Sequence, residues 1–230
     1  MKIIWLGHSS FRIEIEDQVL LVDPWIEGNP VFPTERTDEA IASATAILLS
    51  HGHGDHAASA KGISEQLGIP IACIHELSSL RGKDEAETIG FGKGGTVRFG
   101  EVSVSMVNAV HSSSIDFSDD GLVYAGGEAG FMIRGEGHTI YFSGDTDIMA
   151  DMAWLGEYYA PDIGILCAGG HYTMDMEGAA WAANKYFNFN TVIPCHYKTF
   201  PILAQSADAL VAALPGVDVK TPEVMEIVEI

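Results

Sequence analysis

Basic side chains are scarce in this chain. Only 12 lysines and arginines stand against 32 aspartates and glutamates, a formal net charge of −20. Binding a phosphate backbone or an anionic lipid surface relies on basic patches, so neither a nucleic acid nor a membrane is expected as a partner. Cysteine is sparse too: Cys73, Cys167 and Cys195 are odd in number, widely spaced, and each lies within an apolar run. That argues against a disulfide-stapled secreted scaffold and for buried free thiols in a reducing compartment. No apolar stretch approaches the ~20 residues needed to cross a bilayer. The start, Met1-Lys2-Ile3-Ile4-Trp5, reaches polar residues by His8, too soon for a signal peptide. The expectation is a soluble, cytoplasmic protein. Low-complexity and linker-like segments are also missing. With 230 residues and 47% hydrophobic composition, the chain is long enough to bury one core as a single α/β domain over residues 1–230.

The chain does have an unusual concentration of histidine. His51-Gly52-His53-Gly54-Asp55-His56 follows the apolar run Ala44 to Ser50, which reads as a buried strand. Three imidazoles and a carboxylate this close make a poor core, because every ring nitrogen would need its own hydrogen-bond partner. They make a good metal site, since neutral imidazole and carboxylate suit zinc, iron or manganese. His51 and His53, two apart, point the same way from an extended segment. Asp55 and His56 lie past the second glycine and can turn elsewhere, so the spacing suggests two adjacent ion sites on one loop. The two glycines are expected to let the backbone bend. A structural zinc site would normally include cysteine, and none lies near.

Short strands are predicted at Lys2–Leu6, Phe11–Glu16, Val19–Val22, Ile71–Ile74, Thr96–Phe99, Val102–Val110, Phe131–Arg134, Thr139–Ser143, Ile163–Cys167 and Thr191–Pro194. Helices are predicted at Ala57–Leu67, near Glu76–Arg81, and over Asp147–Tyr159, Asp175–Tyr186 and Ser206–Leu214, with a further start at Thr37. Three later strands end in metal-binding residue types: His111, Asp145 and His196. Such positions are held by rigid strands and remain open to substrate.

These motifs, with Trp5-Leu6-Gly7-His8-Ser9-Ser10-Phe11, Leu21-Val22-Asp23-Pro24, Gly169-Gly170-His171-Tyr172-Thr173-Met174 and Ile193 to Pro201, resemble the metallo-β-lactamase superfamily. The likeness covers most of the chain and is strongest to a branch of small metal-dependent hydrolases related to ascorbate-6-phosphate lactonase. It implies a four-layer αββα sandwich. It also implies a ligand set: His51, His53 and His111 on one metal, Asp55, His56 and His196 on a second, and Asp145 bridging. Two divalent ions, zinc by preference and manganese or iron as alternatives, would sit roughly 3.5–4 Å apart with a reactive hydroxide between them. Asp55 would orient that nucleophile or take up its proton.

Other positions keep two readings. His171 either donates a hydrogen bond to an oxyanion or leaving group, or belongs to a turn before a helix capped by Thr173 or Asp175. The glycines beside it would allow close approach to a ligand. His8 either orients a ligand carboxylate or is a satisfied structural histidine, and Asp23 is a turn residue or a helper to a ligand imidazole. Lys198 and Tyr197 either face the pocket and draw in an anionic group, or form a solvated loop. Ser112 to Gly121 reads as a lid or an exposed crossover. His75 and His138 have no matching context.

The expected function is dinuclear, metal-dependent hydrolysis of a small ester, lactone or phosphodiester, by a chain for which a homo-oligomer is open. The alternatives are a nucleic-acid or cyclic-nucleotide phosphodiesterase, and a non-hydrolytic di-iron redox or sensor protein.

Overall fold

Apolar residues run almost unbroken through Leu20-Leu21-Val22 and Ala46 to Leu49, and neighbours in such runs point to opposite faces of a strand. Both faces must therefore be covered. A computed structural model, describing residues 1–82, 87–116 and 121–230, shows what covers them. The chain opens with strands β1 (Lys2–Trp5), β2 (Phe11–Ile15), β3 (Gln18–Val22), β4 (Ala46–Leu48), β5 (Ile71–Ile74) and β6 (Thr88–Phe91). A second sheet takes β7 (Thr96–Phe99), β8 (Val102–Asn108), β11 (Ala129–Gly135), β12 (His138–Phe142), β13 (Ile163–Cys167), β14 (Thr191–Cys195) and β15 (Asp218–Val219). The short β9 (Ser114–Ile115) and β10 (Val123–Tyr124) pair with each other, and β16 (Ile227–Glu229) returns to the first sheet. The spatial orders are β16-β1-β2-β3-β4-β5-β6 and β15-β14-β13-β12-β11-β8-β7.

Alternation sorts the core into two. Leu20, Val22, Ala46 and Leu48 join the main cluster with residues of the second sheet, whereas Leu21, Ile47 and Leu49 join a cluster on the other face. That other face is closed by Ala40 and Ile41 of α1 (Thr37–Ile41), Ala57 of α2 (Gly54–Ala57), Ala60 and Ile63 of α3 (Ala60–Leu67), and Leu77 of α4 (His75–Gly82). The second sheet is covered by α5 (Met152–Tyr159), α6 (Met176–Tyr186) and α7 (Asp208–Ala213). Neighbours on β12 show the division of labour. Phe142 meets Phe11 of the first sheet at 6.2 Å and Phe131 at 6.4 Å. Tyr141 turns the other way and stacks on Phe187, just past α6, at 5.2 Å. The layers are thus helix, sheet, sheet, helix, the αββα order that the resemblance implies. Among the described residues, no helix is long and apolar enough to cross a membrane.

Several elements differ from expectation. The helix predicted over Ala57–Leu67 is two pieces, α2 and α3, because Asp55 and His56 begin helical structure earlier, with His53 as N-cap. Its stop is as predicted, at Gly68, which takes φ +66° and donates its N–H to Ser64 O. Helix α5 begins only at Met152, leaving 147–151 irregular. Strand β6 was not predicted; its Thr88-Ile89-Gly90-Phe91 has little apolar alternation and lies at the sheet edge.

Topology decides where polar residues gather. β3 and β4 run parallel, and β1 shares their direction through the antiparallel β2. In the second sheet β12, β13 and β14 run parallel, and β8 shares their direction through β11. The C-terminal ends of these strands therefore lie along one edge of each sheet. Backbone bonds tie the two edges together, from Ala129 N to Ser50 O at 3.0 Å and from His196 N to His8 O at 2.9 Å. Phe142 is fully buried between the sheets. Phe142→Ala should cost about 3–5 kcal/mol, read as a lowered urea midpoint; a loss below about 1 kcal/mol would mean the sheets do not rely on this contact.

Candidate metal centre

Six polar residues of the site follow those strand ends. His8 follows β1, Asp23 follows β3, His51 follows β4, His111 follows β8, Asp145 follows β12 and His196 follows β14, while His53, Asp55 and His56 sit at the start of α2. Four of the nearby non-glycine residues adopt the left-handed region: His8 (φ +55°), Asp23 (+46°), His196 (+61°) and Lys198 (+65°). Such backbone is costly and persists only where surrounding contacts hold it. Trp5 Nε1 donates to His8 O at 2.8 Å, and Ser10 Oγ donates to Asp23 O at 2.7 Å.

The buried Asp23 carboxylate anchors the first loop. It accepts from Ser50 N at 2.7 Å, Ser50 Oγ at 2.5 Å and His56 Nδ1 at 2.8 Å. A carboxylate only accepts, so the His56 proton sits on Nδ1 and Nε2 faces inward. Ser50 Oγ spends its proton on Asp23 and accepts from His51 Nδ1 at 2.9 Å. His51 thus also presents Nε2, which lies 3.0 Å from His53 Nδ1. Imidazoles on one tetrahedral zinc, with bonds of about 2.0–2.1 Å, hold their nitrogens roughly 3.3 Å apart. His111 completes this group, its ring 5.4 Å from both others.

A second group lies beside it, formed by Asp55, His56, His196 and His8. Asp145 Oδ2 lies 3.0 Å from His196 Nε2, 3.3 Å from His56 Nε2 and 3.7 Å from His111 Nε2, so one carboxylate reaches both groups. His8 Nε2 meets Asp55 Oδ2 at 3.0 Å and its Nδ1 meets Thr199 Oγ1 at 2.9 Å.

The donor set fits a cation. His56 Nε2 and Asp145 Oδ1 are buried without a hydrogen-bond partner, an arrangement that costs stability unless something else binds them. Burial holds the His51 and His111 pKa values below the ordinary imidazole range, and neighbouring imidazoles add to this. Burial likewise lowers His8 to about 4, against the raising hydrogen bond to Asp55. These rings offer neutral lone pairs. Burial opposes charge on His56, but Asp145, Asp55 and the bond to Asp23 outweigh it and raise its pKa. Burial also disfavours the charged form of Asp145, yet His196 and His56 hold its pKa well down. A cation held here would take the place of the His56 proton as the partner of these carboxylates.

Comparison with known proteins agrees. A family described as the beta-lactamase superfamily domain matches residues 2–196. A UPF0173 metal-dependent hydrolase of Dinoroseobacter shibae is 63% identical over 231 residues, covering 100% of both chains. Another from Paracoccus denitrificans is 63% identical over 227 residues, 98% of each. The chain belongs to the UPF0173 metal-dependent hydrolases of the beta-lactamase superfamily. Among solved structures, Igni18, a metallo hydrolase from Ignicoccus hospitalis, superposes with a TM-score of 0.85 at 30% identity, covering 99% of this chain and 97% of that one.

In this metal-dependent hydrolase some expected roles are redistributed. Gly52 does not bend the loop through a positive φ; a Cβ there would meet Ala125 Cβ at 2.8 Å and Ser114 O at 3.0 Å. Gly169 is spared a side chain for the His196 backbone, whose carbonyl a Cβ would strike, so the close approach is to protein. His171 is exposed, edge-on to Tyr172 at 4.5 Å, in a turn where Asp175 caps α6 by accepting from Gly178 N. Lys198 turns away from the cleft. Its Nζ lies 3.5 Å from Glu223 Oε1 and 5.6 Å from the Tyr197 ring, whose other neighbour is Trp5, stacked at 5.3 Å. His138 bonds Asp162 at 2.6 Å at the start of β12, the end of that strand opposite Asp145, and His75 opens α4. Of the lid expected at Ser112–Gly121, residues 117–120 lie outside the described residues. Ser113 Oγ accepts from Gly52 N and Asp116 Oδ1 from Gly54 N, fastening the preceding part to the histidine loop.

Sequence reading missed Ser50, Thr199, Asp116, Trp25 and Phe200. Ser50 and Thr199 adjoin the histidines His51 and His196 closely enough to invite the question of what orients each ring. Asp23→Ala should weaken metal affinity about 10–100-fold, measured by chelator competition; unchanged affinity would remove Asp23 from the centre's support.

Proposed function

We propose that this enzyme binds two divalent cations, zinc by preference with manganese or iron admitted by the same nitrogen and oxygen donors, and hydrolyses a small ester, lactone or phosphodiester. The observation that carries this reading is the pair of adjoining donor groups with Asp145 Oδ2 within 3.0–3.7 Å of His196, His56 and His111. On this reading His51, His53 and His111 would hold one cation, Asp55, His56 and His196 the other, with Asp145 within reach of both groups. Divalent cations held there would supply acidified water and a polarised electrophile, the chemistry that hydrolysis near neutral pH needs.

The chain's own residues do the positioning. Asp23, through Ser50 and His56, fixes which nitrogen of His51 and His56 faces the substrate side. Asp55, with a side chain 30% exposed while its Oδ2 is held by His8, has a free edge from which to orient water or receive a proton. His171, on the exposed turn beside Tyr172, donates a proton or hydrogen bond to the leaving group from the rim. The whole chain serves as one domain, and its three cysteines, all buried in apolar surroundings, suit the cytoplasm.

His53→Ala and Asp145→Ala should each lose bound metal, counted by elemental analysis, and lower turnover by more than about 100-fold, beyond an outer-shell change. Wild-type turnover in a metal-free variant would reject the scheme. His171→Ala should keep its metal and lose about 10²–10⁴-fold in kcat; unchanged kinetics would assign His171 to the turn alone.

A further inference from the structure

The cleft above the donor groups has a volume of about 500 Å3. Its walls outside the ligands are largely aromatic. Trp25 and Phe200 stand 5.9 Å apart with a 33° tilt. Both rings also pack on His8, at 5.4 Å and 5.7 Å, which fixes them beside Asp55 and His196. Tyr172, 59% exposed, lines the mouth.

Charge in the cleft is of one sign. Among the described residues, no lysine or arginine lines it. Lys198, two residues after His196, is drawn off to Glu223 and lines a separate cavity with Trp5, Val31 and Pro33. Asp116 adds an exposed carboxylate to the wall. Two divalent cations would be balanced in full by Asp23, Asp55, Asp116 and Asp145, leaving no positive surplus. An anionic substituent would lose water against Trp25 and Phe200 with no protein donor in return. It would also approach against a chain of net charge −20.

We propose that this cleft selects neutral substrates carrying a planar apolar group beside the scissile bond, held between Trp25, Phe200 and Tyr172, and rejects anionic ones. This rests on the hydrolytic reading above and narrows it to uncharged esters and lactones, setting phosphodiesters and anionic substrates aside.

The test compares p-nitrophenyl butyrate with p-nitrophenyl hemisuccinate, which share a leaving group and differ by a terminal carboxylate. The metal-loaded enzyme should favour the butyrate about tenfold or more in kcat/KM, a difference of the size pocket contacts supply. Asp116→Asn should narrow the gap. Phe200→Ala should raise KM for p-nitrophenyl butyrate about tenfold and leave KM for methyl butyrate in place. Equal or better turnover of the hemisuccinate overturns the proposal. If neither ester turns over, ester hydrolysis fails and selectivity is read separately, from tryptophan-fluorescence binding of butyranilide and succinanilate to the metal-loaded protein. Tighter butyranilide binding that weakens in Phe200→Ala upholds the proposal; equal or tighter succinanilate binding overturns it.

Discussion

Imidazoles and carboxylates crowded into one buried place oppose folding unless each lone pair and each charge is answered. In this protein that constraint shapes everything around the cleft. Asp23 lies fully buried, and burial pushes its pKa up; the bonds from Ser50 and His56 stabilise the charge that burial disfavours. Two other buried atoms, His56 Nε2 and Asp145 Oδ1, have no such answer from the protein. A cation is the partner that suits both, so metal affinity and the fold's own polar accounting are one matter.

Meeting the constraint requires rigid delivery from distant parts of the chain. Two sheets packed face to face, with β1, β3 and β4 in one and β8, β12 and β14 in the other, bring six strand ends to facing edges. The apolar contact of Phe142 with Phe11 across the sheets therefore acts at long range on the site. The left-handed backbone at His8, Asp23 and His196 is the local counterpart. Each residue turns sharply off a strand, which sets His196 on the cleft wall and His8 and Asp23 beneath it, and the bonds from Trp5 Nε1, Ser10 Oγ and His196 N hold the turns.

Selectivity has a different origin from metal binding. Trp25 and Phe200 lie on loops 175 residues apart and meet where both pack on His8. Their juxtaposition gives the cleft a flat apolar side, while Lys198 pairs with Glu223 rather than with the cleft. One histidine thus connects the two tasks, bonding the Asp55 carboxylate through Nε2 and carrying the aromatic wall on its ring faces and edges.

Much of this was legible in the sequence. Short apolar runs gave most strands, because a strand buried on two faces has few polar positions. The His51 to His56 spacing pointed to a metal site, because imidazoles and a carboxylate this close suit a cation better than an apolar core. Edge strand β6 and the split between α2 and α3 were not legible, since short elements take their structure from neighbours rather than from propensity. The sequence alone determined most strands and the donor types, which follow from local pattern and side-chain chemistry, while its likeness to a family implied the layered α/β architecture. Only the tertiary structure decided that Asp23 serves His56, that Lys198 faces Glu223, and that Trp25 stands against Phe200, because those pairings depend on how distant strand ends and loops pack together.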